Sequence, residues 1–367
     1  MQRAVLPLLC LSVLPLGASH AQTTTPDSLE SRVEALESRW NAFTVFGDAR
    51  LRAQGDYSNP SADSRHSGQF RLRVGANAAI ADSLEAGARM VTGNPDDPNS
   101  SDVQLSGFAD DFTVSLDQAY LRWTRGGWTL QGGKFPQPFT RTDLVWDGDV
   151  NPQGASAAYE TDAWHLRSLY FVIDEQAAGD DATMAGVQAG VTLGDSAGWS
   201  VSTDLGYYDY SIDSLAAADG GDIRGNRVDA SGLYRSDFDL IDLIARLRWV
   251  GANARWPLTL TAEAVRNTGA PDDDAAWLLG LQAGRTSRRG DWRLSYAASS
   301  ADTDAVLAAF SHDNTPLSTD YRLHSVTVDV VPVEHSLLSL YWYHLRAASD
   351  ADSRWIDRVR LAYLVRF

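Results

Sequence analysis

The sequence lacks three features that would place it in common protein classes. Its only cysteine, Cys10, lies in the N-terminal apolar segment, so the rest of the chain can form no disulfide and has no thiol chemistry. No later run approaches the ~18 uncharged apolar residues of a membrane-spanning helix. The formal net charge is −17 and there is no basic cluster, which argues against nucleic acid as a partner. Any membrane segment must therefore be built from β-strands.

Residues 1–21 have the features of a secretory signal. Arg3 supplies a short basic start, residues 4–17 form an uncharged apolar run, and Ser19-His20-Ala21 place small residues before a cleavage site at Gln22. The mature chain is therefore expected to leave the cytoplasm.

Residues 22–42 contain a short pattern typical of a coiled coil. Leu29, Val33, Leu36 and Trp40 are spaced four, three and four residues apart, with charged residues between them. Two heptads make a helix that is marginal on its own. It can be a single amphipathic helix that caps the mouth of a β-barrel formed by the rest of the chain, or one of three helices in a periplasmic stalk of a homotrimer.

From Phe43 to Phe367 the pattern changes to segments of about ten residues that alternate apolar and polar side chains. In the last segment Val359, Leu361 and Tyr363 share one face, while Arg358 and Arg360 share the other. We predict an all-β fold, a transmembrane antiparallel β-barrel of 16 strands, preceded by the short coiled-coil helix. The predicted strands are 43–53, 67–81, 84–93, 112–124, 127–135, 155–161, 163–174, 182–193, 199–211, 239–249, 257–266, 276–286, 292–300, 321–333, 336–346 and 355–367.

The connections between these segments alternate in length. Asp82-Ser83 and Arg125-Gly126 are typical of the short set, whereas 94–99 and 213–227 belong to a longer set rich in Asp, Asn, Pro and Gly. Short turns at one rim and long loops at the other are typical of outer-membrane barrels, where they face the periplasm and the outside respectively. Tryptophans near the segment ends suit the two aromatic girdles of a lipid-facing wall.

The alternation assigns a group of arginines to the inside of the barrel, because arginine near the middle of a bilayer costs about 2–4 kcal/mol. Closing the barrel joins the last strand to the first, so these residues form one patch of wall, with Arg358 and Arg360 beside Arg50 and Arg52. A barrel of this width holds water, and we expect no packed plug. The arginines can line a pore or simply pair with lumen acids. The predicted pore-lining residues are Arg50, Arg52, Arg71, Arg73, Arg89, Arg122, Arg358 and Arg360.

The third long connection, residues 136–154, has too much apolar surface for a loop in water. It contains Phe139, Leu144, Val145 and Trp146. We expect it to fold back into the barrel. Its three carboxylates are the predicted constriction residues Asp143, Asp147 and Asp149.

Two features resemble known families. The terminal Phe367 after alternating apolar positions resembles the last strand of bacterial outer-membrane barrels, where it is the signal read by the barrel-assembly machinery. The stretch Gly132-Gly133-Lys134-Phe135-Pro136-Gln137-Pro138-Phe139, with residues 147–154 (DGDVNPQG), resembles the putative porins, which are related to phosphate-selective porins. That resemblance implies a porin fold. Similarity to general-diffusion porins implies a constriction where acids of the third loop face a basic wall. Lys134 is the only lysine, so phosphate selectivity, which uses a lysine-rich lumen, does not carry over.

These observations favour a porin in the outer membrane of a Gram-negative bacterium, open to passive diffusion of small hydrophilic solutes and ions. A channel selective for anions, carboxylates or sugars is the alternative. Tyr120, Tyr341 and Tyr343 are inward aromatic candidates for sugar. No histidine stands in a catalytic motif, so we expect no enzyme activity, and we expect no cofactor or metal. Partners would be outer-membrane lipid, the solutes and two further copies in a trimer.

Overall fold

The computed structural model describes Val33 and residues 42–57, 64–105, 111–176, 180–195, 197–215, 225–251 and 253–367. The predicted signal (1–21) and coiled coil (22–42) lie outside these residues, apart from Ala42 and Val33, which is in helical conformation. Within the described residues, no helix has the length and apolar character needed to cross a membrane. Residues 43–367 form one compact unit.

That unit is one antiparallel sheet closed into a barrel. Each strand of the wall pairs with its neighbours in the chain, and the last strand pairs with the first. The strands are β1 (Phe43–Tyr57), β2 (Arg65–Ala81), β3 (Leu84–Thr92), β4 (Val103–Gln104), β5 (Val114–Arg125), β6 (Trp128–Lys134), β7 (Gln153–Glu160), β8 (Trp164–Asp174), β9 (Ala182–Gly194), β10 (Trp199–Ser211), β11 (Phe238–Trp249), β12 (Leu258–Asn267), β13 (Ala275–Gly284), β14 (Trp292–Ala301), β15 (Tyr321–Val330), β16 (Ser336–Ala347) and β17 (Ile356–Arg366).

The two-residue β4 lies in a loop and pairs with β2. The other sixteen strands form the wall, so the predicted all-β barrel of 16 strands is confirmed. The predicted bounds lie within a few residues of the observed ones. The predicted alternation of short and long connections is also present among the described residues. One rim carries turns such as 82–83 and 126–127, and the other carries loops such as 135–152 and 302–320.

Side chains alternate across the wall as a lipid-facing barrel requires. On β17, Leu361 and Tyr363 are exposed outside, whereas Arg358, Arg360 and Ala362 are buried inside. Most tryptophans of the wall are among the exposed large residues, including Trp128, Trp164, Trp199, Trp249, Trp277, Trp292 and Trp342. An apolar surface of this extent is stable only against lipid or another apolar partner.

The barrel closes at Phe367 and Gly47. The two residues exchange backbone hydrogen bonds, with N to O distances of 2.9 and 3.0 Å. A Cβ atom at position 47 would lie 2.6 Å from the Phe367 ring, so only glycine leaves room for that ring. The terminal aromatic therefore covers the glycine of the first strand and completes the seam.

The interior differs from the predicted one in one respect. We expected no packed plug, but two loops fill part of the barrel with an apolar core. They are the third loop (residues 135–152) and the seventh loop (302–320), and they contribute Phe139, Trp146, Leu307 and Phe310. The number of strands sets the width of the barrel but not which loops fold into it. Strand number alone therefore could not predict whether part of the interior is packed.

Candidate functional site

The inner wall of β1 and β2 carries a row of arginines held by a shared carboxylate. The register places Asp48 opposite Arg73, and Arg50 opposite Arg71. Asp48 accepts from Arg71 at 3.0 Å and from Arg73 at 2.7 Å. One acid thus fixes two neighbouring guanidinium groups on the same face of the wall.

A second carboxylate reaches the wall from the loop between β3 and β5. Asp102 lies 2.7 Å from Arg50 and 2.5 Å from Arg52. Its side chain is almost fully buried. Neither the loop nor this residue was predicted to take part, because nothing local in the sequence marks Asp102 among many loop aspartates.

The third loop starts and ends at two glycines that face each other. Gly133 on β6 pairs with Gly154 on β7, and both have positive φ angles, 114° and 149°. A Cβ atom at Gly133 would lie 2.3 Å from the Ala119 carbonyl oxygen, and one at Gly154 would lie 2.1 Å from that of Tyr170. The glycines of the motif are therefore required by the backbone that admits the loop into the barrel.

One part of the third loop is fixed to the wall formed by β9, β11 and β12. The Gln188 amide accepts from the Thr140 N–H and donates to the Thr140 carbonyl, both at 2.7 Å. Arg246 donates to the Arg141 carbonyl at 2.8 Å, and the Thr142 hydroxyl donates to Glu263.

The loop then meets the arginines of β2. Asp149 lies 2.9 Å from Arg73 and 3.5 Å from Arg71, and it accepts from the Ser101 hydroxyl at 2.8 Å. We expected its carboxylate to face the basic wall, and it binds that wall directly. The third loop therefore bridges the inside of the barrel from β9, β11 and β12 to β2.

The seventh loop, which was not predicted to enter the barrel, packs on the third. The Trp146 ring stacks on Phe310 with centroids 5.6 Å apart. Asp147 N–H donates to the Phe310 carbonyl at 2.7 Å, and His312 N–H donates to the Asp143 carbonyl at 3.1 Å. The run Ala305–Phe310 (AVLAAF) is apolar. It is the same signal that identified the third loop.

Between these loops and the wall lies a cavity of about 730 Å³. Among the described residues, seven arginines and four aspartates line it, with Tyr341 and Tyr343 on the wall of β16. Asp48 and Asp102 add two negative charges that pair with the lining arginines. The charged lining residues are Arg50, Arg52, Arg71, Arg73, Arg141, Arg246, Arg360, Asp143, Asp147, Asp149 and Asp313.

The structure separates the predicted pore-lining arginines into two groups. Arg50, Arg52, Arg71, Arg73 and Arg360 line the cavity. The other three also face inwards but lie beside other acids: Arg89 2.5 Å from Asp117, Arg122 3.1 Å from Glu85, and Arg358 2.5 Å from Asp56.

The closing strand lies in a slightly different place from the one we expected. We placed Arg358 and Arg360 beside Arg50 and Arg52. The register instead puts Arg358 opposite Asp56 and Arg360 opposite Gln54, whose amide oxygen accepts from Arg360 at 2.6 Å. Arg52 lies opposite Ala362 on β17, and Arg360 is the next inward residue of β17 after Ala362.

Two aspartates of the third loop have shifted pKa values of opposite direction. Burial alone would raise the pKa of Asp149, but the charges of Arg71 and Arg73 and the Ser101 hydrogen bond outweigh it and lower the pKa. Burial, and then the negative charges of Asp143, Asp313 and Asp149, raise the pKa of Asp147 to about 8. Asp147 is therefore largely neutral at pH 7 and below.

The neutral state of Asp147 predicts a pH dependence. Because the pKa of Asp147 is raised in the docked loop, protonated Asp147 stabilises docking at low pH. This stabilisation is lost as the pH rises from 3.8, the ordinary pKa of an aspartate, to about 8. Above about pH 8 the cavity gains one negative charge. In water a unit charge about 7 Å from a passing ion contributes about 0.6 kcal/mol, attractive for a cation and repulsive for an anion, so the cation-to-anion permeability ratio would rise about sevenfold between pH 6 and 9.5 without screening. Screening by salt reduces the expected rise to about threefold.

Reversal potentials in asymmetric salt measure this change. The Asp147→Asn variant is the control, since it carries no charge at either pH, and its ratio should stay constant. An equal rise in wild type and Asp147→Asn would assign the titration to another group.

Comparison with known proteins agrees with this geometry. Residues 46–217, slightly less than half of the chain, match a family described as "Putative porin". The predicted resemblance to the putative porin family is confirmed. The matched range begins within β1, includes the third loop and ends shortly after β10. A comparison with curated protein sequences found no match.

Solved structures share the barrel fold at low sequence identity. The high-pH structure of Pseudomonas putida OprB superimposes with a TM-score of 0.64 at 12% identity, over 92% of this chain and 96% of that one. A triple mutant of the Rhodopseudomonas blastica porin gives a TM-score of 0.54 at 12% identity, over 89% of this chain and 100% of that one. The family match and the shared barrel fold both agree with the predicted resemblance to porins.

Proposed function

We propose that the protein is a water-filled porin whose narrowest part lies between the arginine row of β1 and β2 and the paired third and seventh loops. The observation that carries the proposal is the cavity of about 730 Å³ at that place, lined by charged and hydroxyl side chains. Solutes that pass would contact Arg50, Arg73 and Asp143, whose side chains are partly exposed there.

The charges around the cavity favour anions. With Asp147 neutral, the seven lining arginines outnumber the remaining acids, Asp48 and Asp102 included, so the net charge around the cavity is positive. Fixed charges in a narrow aqueous passage attract counter-ions and exclude co-ions. We therefore expect modest anion preference at neutral pH, although the whole chain is acidic.

Planar-bilayer recording tests the proposal. Purified protein should give stepwise conductance, and its reversal potential in asymmetric potassium chloride should lie on the anion-selective side. The same preparation in a liposome-swelling assay should admit small sugars and amino acids. Absence of conductance steps from folded protein would overturn the channel, and cation preference at pH 7 would overturn the assigned charge balance.

A channel selective for carboxylates or sugars is the second candidate. Tyr341 and Tyr343 stack with ring centroids 6.1 Å apart, and Arg360 lies 5.7 Å from the centre of the Tyr343 ring. Two rings and an arginine suit a solute with a flat or apolar part and an acid group. Tyr120 is buried away from this cavity and does not extend the pair. Saturation of the conductance by one solute, rather than a linear rise, would favour this candidate.

The remaining assignments concern how the protein reaches and sits in its membrane. We infer export directed by residues 1–21, a short coiled coil at 22–42, the barrel at 43–367 and recognition of the Phe367 strand by the barrel-assembly machinery. A trimer would bring three of the 22–42 segments together. Cross-linking of the purified protein tests the trimer.

A further inference from the structure

Four basic side chains lie together on the lipid-facing side of β15 and β16, next to the long-loop rim. The strand register places His324 directly opposite His344, and Arg322 directly opposite Arg346. Their neighbours Leu323, Tyr343 and Leu345 are buried inside the barrel. Because side chains alternate across a strand, the four basic groups point outwards. We call Arg322, His324, His344 and Arg346 the outer basic cluster.

Aromatic rings surround the outer basic cluster. Trp355 stacks on His344 with centroids 4.2 Å apart and an angle of 4°, and the Arg346 guanidinium lies 5.3 Å from the centre of the Trp355 ring. Trp277 and Trp355 line a cavity of about 450 Å³ together with Arg322, His324 and Arg346. Tryptophans of this kind occupy the headgroup level of a membrane, where one edge is apolar and the other is wet.

The two arginines have no carboxylate to balance them among the described residues. Arg346 donates to the Ala351 carbonyl at 3.1 Å, but its buried Nε has no partner, and Arg322 is exposed. The nearby acid, Asp357, already accepts from His344 and Trp342. By contrast, Arg266, which also points outwards near this rim, pairs with Asp274 at 2.6 Å.

Such an arrangement is unfavourable without an anion. Like charges directly opposite each other on neighbouring strands repel, and cations on the lipid face of a barrel are costly unless they lie at headgroup depth. A phosphate group would remove both costs, since guanidinium groups bind phosphate through paired, charge-assisted hydrogen bonds. The apolar wall below the cluster, with Leu279 and Leu340 exposed, is suited to acyl chains.

We propose that the outer basic cluster and its 450 Å³ cavity bind the phosphorylated headgroup of a glycolipid of the outer leaflet. The phosphate would lie between Arg322 and Arg346, the sugar against Trp355 and Trp277, and the acyl chains along the wall of β13 to β16. This placement uses the proposed orientation, in which the long-loop rim faces outwards. It does not depend on what the channel conducts.

Native mass spectrometry of the detergent-solubilised full chain, titrated with purified diphosphoryl lipid A, measures this binding. The Arg322→Gln, Arg346→Gln double variant should lose affinity about tenfold or more, since two charge-assisted contacts disappear. Arg266→Gln is the matched control, because it removes an outward arginine of the same rim that already has a partner. It should bind as wild type does.

Two further arms identify the ligand. Lipid A stripped of its phosphates should bind wild type as weakly as diphosphoryl lipid A binds the double variant, and excess inorganic phosphate should not displace the intact lipid. Equal binding of stripped and intact lipid A, or displacement by phosphate alone, would overturn the proposal. The proposal would also be overturned if the double variant changed from oligomer to monomer while its affinity for the lipid stayed the same. That result would show that this face is a contact between subunits.

Folding and conduction of the variants keep the result interpretable. Heat-modifiable gel mobility reports the closed barrel, and the double variant should retain wild-type conductance because all four residues point away from the lumen. If the double variant does not fold, Arg322→Gln alone serves, since that side chain is exposed, and it should lose affinity several-fold. Wild-type affinity in the folded Arg322→Gln variant would also overturn the proposal.

Discussion

Replacing Arg71 and Arg73 by glutamate should change the channel from anion to cation preference. Both residues line the cavity, and the double substitution changes its charge by four units. At about 0.6 kcal/mol for each unit charge near the ion path, and allowing for screening, the cation-to-anion permeability ratio should rise about tenfold or more. The sign of the reversal potential in asymmetric potassium chloride reports this change directly.

Two controls separate charge from structure in that experiment. The double variant Arg71→Gln, Arg73→Gln removes the same ion pairs to Asp48 and Asp149 but changes the charge of the cavity by half as much. Its permeability ratio should therefore lie midway between those of wild type and the glutamate variant. Arg89→Glu, Arg122→Glu places the same charge change on inward arginines outside the cavity, and should shift the ratio less than threefold. Equal shifts in the two glutamate pairs would remove Arg71 and Arg73 from the proposed narrow part.

Much of the fold could be predicted because its cause is local. A strand between lipid and water needs an alternating pattern, and that pattern sets the face of each residue without knowledge of its neighbours. It therefore assigned Arg50, Arg71 and Arg360 to the interior and Leu361 to the exterior, and the structure places them there. The apolar content of the third loop likewise predicted that it folds inwards.

The pairing inside the barrel could not be predicted in the same way. Whether Asp149 faces the arginines across water or binds them depends on how far a loop reaches, and 76 residues separate Asp149 from Arg73. Asp102 reaches Arg50 from a different loop, so no local spacing identifies it. The seventh loop was missed although its apolar run, Ala305–Phe310, meets the criterion applied to the third loop.

The arginines of β1 and β2 contact both lumen acids and the cavity. The arginines pair with Asp48 and Asp102, and their partly exposed groups also line the cavity, so the ion pairs are compatible with the proposed pore. A guanidinium fixed by a carboxylate keeps a defined position at the passage. The acids therefore reduce the net charge but fix the geometry, which favours modest selectivity over tight binding.

Trp146→Ala should widen the channel. Trp146 is fully buried and contacts Phe310 of the seventh loop, Tyr208 and Tyr210 of β10 and Phe171 of β8. Removing a buried tryptophan side chain costs about 3–5 kcal/mol, and here that cost falls on the docking of the two loops rather than on the hydrogen bonds of the wall. We expect single-channel conductance to rise at least about twofold and larger sugars to enter liposomes.

The matched control is Trp277→Ala, which removes a tryptophan that is 47% exposed on the outer wall. It loses contact with lipid and should leave conductance unchanged. Limited proteolysis completes the test, because a released third loop offers the Arg141 bond to trypsin, whereas the docked loop holds Arg141 by its contacts to Trp146 and Asp143. If Trp146→Ala exposes that bond and conductance stays at the wild-type value, the loops do not set the width of the passage. The narrow part then belongs to the wall arginines alone.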